Sequence, residues 1–208
     1  MEKIFFSDYA STVSMLDNEL RLSESFDLVG RELKIDKRNA KLYFVDGFCK
    51  DEIMVKIMAY FMNAEEKEMK SLKTTREFAN KYVPYVETDV ISKVRDFVNA
   101  VLSGAIGMII EGYSEAIIID GRTYPVRSVG EPENDRVLRG PHDGFVETLV
   151  FNTALIRRRI RDTNLTMEIH SVGEKSKTDV VICYMKDRVN QKMLKTLRNK
   201  IDSTDINS

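Results

Sequence analysis

The amino-acid sequence predicts a mixed α/β fold, of the α+β type, made of two small subdomains joined by a linker. Apolar residues recur at helical spacing in some segments and form short strand-like runs in others. The charge balance changes from −6 over residues 1–135 to +5 over residues 136–208. A Gly- and Pro-rich stretch, 120–134, lies beside that change and is typical of a linker. The predicted division is a first subdomain over 1–120, a linker over 121–135 and a second α-β-β-α subdomain over 136–208.

The first elements are a helix and two strands. A helix is predicted near 7–22, because apolar residues recur there at intervals of three and four: Tyr9, Val13, Leu16 and Leu20. The segments FDLVGRELKID (26–36) and AKLYFVDGF (40–48) have the composition of strands. The turn between them is expected at 36–39.

Further helices and a hairpin complete the first half. One helical stripe consists of Met54, Ile57, Met58 and Phe61. A polar helical stretch follows and must end before Pro84. Another stripe, closed by Gly104, consists of Ile91, Val94, Val98 and Val101. The runs IGMII and AIIID flank EGYSE, which predicts a hairpin of two buried strands.

The second half has a simpler pattern. A helix is predicted near 144–161, followed by the strand LTMEIHSV (165–172), the turn GEKSK and the strand TDVVICYM (178–185). A last helix begins near Val189, with one apolar face formed by Met193, Leu197 and Ile201.

Composition excludes several classes of protein. Hydrophobic residues make up 43% of the 208 residues and charged residues 31%, which excludes a disordered chain. The net charge of −1 argues against a nucleic-acid partner. The longest apolar runs are far shorter than a bilayer span, and the N-terminus lacks signal-peptide features, so the chain is expected to be soluble and cytoplasmic. Cys49 and Cys183 are predicted to be buried free thiols, and neither metal nor cofactor is expected.

The most informative segment is VLRGPHDGFVETLVFNTALIRRRIRDTNL (137–165). Gly140 and Pro141 break the chain and are expected to start a helix, since Pro suits the first helical turn. The face predicted to enter the core consists of Phe145, Leu149, Ile156 and Ile160. The other end of the helix carries Arg157, Arg158, Arg159 and Arg161, where cations suit the helix dipole.

Three successive arginines cannot share one helix face, so at least one must point toward a neighbouring surface or pair with an acid. The cluster is interpreted as a solvated helix end, a protein or interdomain contact, or an anion site. Arg139 would add positive charge at the helix start, or it forms a salt bridge in a structural turn. His142 lies in the same turn with no Ser or Cys nucleophile beside it, and no catalytic motif occurs elsewhere. An enzyme is therefore not expected.

Longer stretches carry a family resemblance. They are RGPHDGFVE (139–147), NTALIRRRI (152–160) and SKTDVVICYM (176–185), with weaker support from LYFVDGF (42–48), AVLSGAIGMIIEGYSEAIIID (100–120) and EPEN (131–134). Through them the chain resembles the N-terminal domain of the A subunit of bacterial spore germinant receptors, the GerA/SpoVAF family. The resemblance covers roughly residues 25–200.

The resemblance implies a non-enzymatic domain on the cytoplasmic, spore-core side of the inner spore membrane. It implies B and C receptor subunits and other A subunits as partners, and a membrane connection through a following segment. The related stage V sporulation protein AF is an alternative identity. The predicted interaction residues are Arg139, Gly140, Pro141, His142, Arg157, Arg158, Arg159 and Arg161. A module of another class stays open, with a small-molecule ligand in the cleft between the subdomains and 120–134 as its hinge.

Overall fold

The computed structural model describes residues 4–5, 8–64, 66–123 and 144–204. Helices and strands alternate along them in an irregular order. The elements are α1 (Tyr9–Leu20), β1 (Leu28–Ile35), β2 (Arg38–Val45), α2 (Asp51–Met62), α3 (Glu66–Ser71), α4 (Thr75–Tyr82), β3 (Thr88–Ile91), α5 (Val94–Leu102), β4 (Ile106–Ile110), β5 (Ala116–Ile119), α6 (Leu149–Arg159), β6 (Leu165–Val172), β7 (Thr178–Met185) and α7 (Gln191–Asp202).

The larger sheet has five antiparallel strands in the order β1-β2-β4-β5-β3. Its central strand β4 is buried along its whole length, because helices cover both faces of the sheet. Ile106, Met108 and Ile110 enter one core, while Ile109 enters the core on the opposite face.

Each face of this sheet has its own group of helices. On one face α2, α3 and α4 contribute the buried side chains Met54, Ile57, Phe61, Met69 and Phe78. On the other face α1, α5 and α6 contribute Leu16, Leu20, Phe97, Val101 and Ala154. Although α6 follows the predicted linker in the sequence, it packs on the larger sheet.

The smaller sheet is the β6-β7 hairpin, paired in register from Leu165 opposite Met185 to Val172 opposite Thr178. Helix α7 packs on one face of the hairpin, where Leu194 is buried. Among the described residues no helix combines the length and apolar character needed to cross a bilayer.

Most predicted elements are confirmed, including the mixed α/β class and both hairpins. Five expectations were wrong. Helix α6 begins at Leu149 and residues 144–148 are not helical, so α6 does not start at Gly140 and Pro141. Ile91 ends strand β3 and does not belong to the following helix. Cys183 is exposed and Cys49 is only partly buried. Met193 and Leu197 are exposed. Of the core face expected for the α6 region, Phe145 and Ile160 are exposed, and Leu149 and Ile156 are only partly buried. The division at 121–135 stays a prediction, and its residues 124–135 lie outside the described ranges.

Candidate functional site: an arginine-rich helix end above a buried ion pair

Helix α6 is held at its start by Asn152. The backbone N–H of Val146 donates to Asn152 Oδ1 at 2.7 Å, and the Asn152 amide donates to the Val146 carbonyl at 2.7 Å. These bonds fix the segment that leads into the helix. The helix then approaches Gly47, whose φ of +82° and tight contact with Val150 and Ala154 leave no room for a side chain.

The inward face of α6 differs from the predicted one. Thr153, Ala154 and Arg157 are buried, whereas Phe145 and Ile160 are exposed by 67% and 39%. Thr153, Ala154 and Arg157 lie within about 100° of one another around the helix, and Leu155, which is also buried, widens this inward arc. The helix is turned this way because Arg157 has an acidic partner inside the protein.

That partner is Asp27. The guanidinium of Arg157 donates to both carboxylate oxygens of Asp27, with Nε–Oδ2 at 2.7 Å and Nη2–Oδ1 at 3.0 Å. Both side chains are fully buried, with 0% of each exposed. The pair is bidentate, which is the geometry that Arg and carboxylate favour.

Both Nη atoms of Arg157 also donate to backbone carbonyl groups. Nη2 donates to the Leu165 carbonyl at 2.9 Å, and Nη1 donates to the Asp162 carbonyl at 2.9 Å. Ser25 donates its hydroxyl to Asp27 Oδ1 at 2.6 Å and accepts from the Met167 N–H at 3.0 Å. A buried charge costs stability unless it is paired and hydrogen-bonded, and this one is both.

Arg157 was predicted to be an interaction residue, but it is fully buried and is not part of an exposed docking surface. The expectation that one of the successive arginines pairs with an acid is met by Arg157. The interior acid could not be identified from the sequence, because Asp27 lies 130 residues away along the chain.

The other arginines of the cluster are on the outside. Arg158, Arg159 and Arg161 are all exposed. Arg161 donates to Ser103 Oγ at 3.3 Å, and Arg122 donates to the Ser103 carbonyl at 3.5 Å. We call Arg122, Arg158, Arg159 and Arg161 the arginine surface. Sequence reasoning missed Arg122, which lies in the predicted linker and reaches this place only through the fold.

Four predicted interaction residues lie outside the described ranges: Arg139, Gly140, Pro141 and His142. The other histidine, His170, lies on β6 with its Nδ1 3.4 Å from Asp202 and its Nε2 3.7 Å from Glu168.

The described residues offer little for bond-making chemistry. Within them, no three His, Cys, Asp or Glu side chains gather closely enough to hold a metal ion. Desolvation by the surrounding protein raises the pKa of the Cys49 thiol to about 11, and it also raises the pKa of Cys183 although part of that side chain is exposed. A thiol is nucleophilic as the thiolate, so these shifts leave both groups weak nucleophiles near neutral pH.

Two concave regions lie elsewhere. A groove of about 710 Å³ runs between α1 and strands β1 and β2, and Tyr9, Asp17, Glu32 and Lys34 are among its lining residues. A cleft of about 330 Å³ lies between the segment 22–26 and β6 residues 167–170. The cleft therefore lies between the loop that follows α1 and the smaller sheet.

Comparison with known proteins places the chain. The family model described as Bacillus/Clostridium GerA spore germination protein matches residues 15–208. Stage V sporulation protein AF of Bacillus subtilis (strain 168) is 34% identical over 99% of this chain and 42% of that protein. Spore germination protein B1 of the same strain is 26% identical over 83% of this chain and 35% of that protein. The chain thus spans less than half the length of these curated relatives.

The fold has a solved counterpart. The crystal structure of the N-terminal domain of the A subunit of the Bacillus megaterium spore germinant receptor GerK3 superimposes with a TM-score of 0.74 at 17% identity. The match covers 99% of this chain and 75% of that one, which shows that the two share a fold. With the family match over nearly its whole length, this chain belongs to the GerA family of spore germination proteins.

Proposed function

We propose that this chain is a non-enzymatic domain of a germinant receptor A subunit or of the stage V relative. It works on the cytoplasmic, spore-core face of the inner spore membrane. Its task is to pass a nutrient signal to a membrane channel through contacts between subunits. The family description names spore germination, which supports this setting.

The arginine surface is the observation that carries the proposal. Arg158 and Arg159 are exposed at the C-terminal end of α6. The residue before them, Arg157, points into the protein and is held there by its ion pair with Asp27. Because this end of the helix is held in place, less conformational entropy is lost when a partner binds to it. Arg is also enriched among the residues that contribute most of the binding energy at protein interfaces. The surface is therefore suited to an acidic partner surface.

The partners that fit this proposal are the B and C receptor subunits and other A subunits, together with the membrane through a following segment. Guanidinium groups pair bidentately with carboxylates, so the partner patch should contain Asp or Glu. Neither a nucleic acid nor a cofactor is part of this proposal.

Charge reversal in the full-length protein tests the arginine surface. The double variant Arg158→Glu/Arg159→Glu should reduce co-purification of the receptor subunits and slow germination, because the guanidinium–carboxylate attraction becomes repulsion. The isolated domain should keep its wild-type circular dichroism spectrum, since both side chains are exposed. Assembly is measured by affinity capture, and germination by the loss of spore optical density.

A matched control uses two exposed arginines on other helices. Arg76→Glu/Arg95→Glu changes the net charge by the same amount and should leave assembly intact. Wild-type assembly and germination in the folded Arg158/Arg159 variant would remove the arginine surface from the mechanism.

The cleft beside Ser25 and Phe26 supports the alternative function, in which a small ligand binds between the loop 22–26 and the smaller sheet. Its volume of about 330 Å³ lies at the lower end of the range for ligand pockets, roughly 300–1,000 Å³. The exposed Arg158 and Arg159 at the held end of α6 are stronger support than a cleft of this size, so contact between subunits stays the main proposal.

A further inference from the structure

Helix α7 is attached to the β6-β7 hairpin by one face only. Leu194 is buried against the hairpin, and Arg198 donates its Nε–H to Glu168 Oε2 at 2.8 Å. The second guanidinium nitrogen of Arg198 also bonds to Glu168 and to the Tyr184 hydroxyl. These contacts set the rotation of the helix about its axis and hence which residues face outward.

The outward face combines apolar and basic side chains. Met193 is 74% exposed and Leu197 is 42% exposed, although both belong to the apolar stripe of the helix. Around them the exposed arc carries three lysines, and none forms an ion pair with any residue in the described part of the chain. We call this the α7 surface; its members are Lys192, Met193, Lys195, Leu197 and Lys200.

Helix stability explains only one of the three lysines: Lys200 lies in the last turn, where a cation suits the helix dipole, whereas Lys192 and Lys195 gain nothing from it. The first turn of α7 contains no acidic residue and carries Lys192, although a helix dipole favours negative charge at that end. The N-cap Asn190 accepts hydrogen bonds from two backbone N–H groups at 3.0 and 3.1 Å, so the helix start is already stabilised. Lys192 therefore goes against the charge preference of a helix start, on an exposed face of α7. Such a departure suggests that the residue serves an interaction with another molecule.

We propose that the α7 surface binds the headgroup region of an anionic lipid bilayer. Lysines attract acidic lipid headgroups, while exposed Met and Leu side chains enter the boundary between headgroups and acyl chains. At about 100° per residue, Lys200 lies next to the exposed Met193 around the helix axis and Lys192 lies further round on the same side, whereas Lys195 lies at the opposite edge of the exposed arc. No acidic side chain precedes Asp202 within the helix.

A bilayer fits better than a second copy of the chain. Two α7 surfaces brought together would place three lysines against three lysines, and like charges oppose such a contact. A fluid lipid surface has no fixed shape to match and supplies the negative charge directly. The proposal does not depend on the arginine surface, which is formed by the end of α6 together with Arg122 and Arg161.

Tryptophan fluorescence can test the proposal, because the chain contains no Trp. Met193→Trp introduces one reporter on the α7 surface, and Val86→Trp introduces one at a 98% exposed site elsewhere. With phosphatidylglycerol vesicles the emission of Met193→Trp should shift to shorter wavelength, whereas that of Val86→Trp should not. The shift should be absent with phosphatidylcholine vesicles and in roughly 1 M salt, where the screening length falls to about 3 Å.

Charge variants connect the signal to the lysines. Lys192→Glu/Lys195→Glu/Lys200→Glu, added to Met193→Trp, should weaken vesicle partitioning by about 100-fold or more, at roughly fivefold per lysine. The control Lys56→Glu/Lys67→Glu/Lys175→Glu changes the same charge on other exposed positions and should bind like the parent. Circular dichroism checks that each variant is folded.

Three results would overturn the proposal. One is no shift of Met193→Trp with phosphatidylglycerol, and another is an equal shift in the Lys192/Lys195/Lys200 variant. The third is a shift that appears without vesicles as the protein concentration rises, which would indicate contact between copies of the chain.

Discussion

At the scale of single residues, Arg157 shows how an apparent surface charge becomes part of the interior. It stands among four arginines in five positions, a pattern typical of a solvated helix end. The fold instead buries it beside Asp27 and Ser25, with carbonyl groups of Asp162 and Leu165 completing its hydrogen bonds. Its neighbours remain exposed because a helix turns by about 100° per residue.

Removing one member of the Arg157–Asp27 pair should strongly destabilise the domain. Arg157→Ala or Asp27→Asn is expected to lower the free energy of unfolding by about 3–5 kcal/mol, because each leaves an uncompensated buried group. Urea denaturation of the isolated domain measures this loss. Arg95→Ala, an exposed arginine on α5, should change the free energy by no more than about 0.5 kcal/mol.

A loss below about 1 kcal/mol in both Arg157→Ala and Asp27→Asn would contradict the account of a buried pair. The two changes should also be non-additive, since the double variant breaks the same interaction once.

At the scale of elements, the close packing of α5 on β4 depends on Gly107. A Cβ atom there would lie 2.4 Å from Phe97 Cζ and 2.9 Å from Val101 Cγ2. Phe97 is fully buried and meets Tyr43 edge-to-face at 5.5 Å between ring centroids, so it has little freedom to move. Because Gly107 has no side chain, the Phe97 ring of α5 packs directly against the backbone of β4.

Gly107→Ala should therefore destabilise the domain by about 1–3 kcal/mol, the usual cost of overpacking a core. The control is Gly121→Ala, where the nearest atom to the new Cβ is 3.4 Å away at Ile53 Cγ2, an ordinary contact. That variant should be neutral or stabilising by up to about 1 kcal/mol. Equal thermal midpoints for the two variants would show that α5 can move away from β4 at little cost.

Local patterns predicted the elements that depend on local order. The strands β6 and β7 occupy the predicted residues, because their composition and the turn between them are all encoded within 21 residues, 165–185. Strand β3 was not predicted, because it has only four residues and is formed by pairing with β5, some 28 positions further along the chain. The orientation of α6 escaped for the same reason: its decisive contact, Asp27, is distant in the sequence.

At the scale of the whole molecule, one short segment connects the larger sheet to the β6-β7 hairpin. Glu24 pairs with Lys186 at 2.5 Å, Ser25 accepts from Met167, and the Phe26 N–H donates to the Met167 carbonyl at 3.1 Å. Asp27 completes the series through Arg157. A movement of the hairpin away from this segment would break buried polar contacts, so such motion is opposed unless binding energy offsets the loss.

The charged groups of the whole domain also predict how its stability depends on pH. Hydrogen bonds from Arg198 lower the pKa of Glu168, and those from Lys37 and Lys70 lower the pKa of Glu66 from 4.5 to about 2. A carboxylate with a lowered pKa in the folded state contributes stability above its unfolded pKa, and that contribution is lost as the pH falls. Burial raises the pKa of Tyr9 from 10.0 to about 12, so the folded state disfavours its ionised form.

The free energy of unfolding should consequently decrease as the pH falls below about 4.5, and decrease again as it rises from about 10 to 12. Urea denaturation across this pH range measures both slopes. Glu168→Gln should flatten the acid slope, whereas Glu174→Gln, at an exposed position in the β6-β7 turn, should keep it. Tyr9→Phe should reduce the alkaline slope without removing it, because burial also raises the pKa of Tyr43 and Tyr113, whereas the exposed Tyr60→Phe should leave the slope unchanged. Acid and alkaline slopes that stay at wild-type values in Glu168→Gln and Tyr9→Phe would mean that other groups control the pH response.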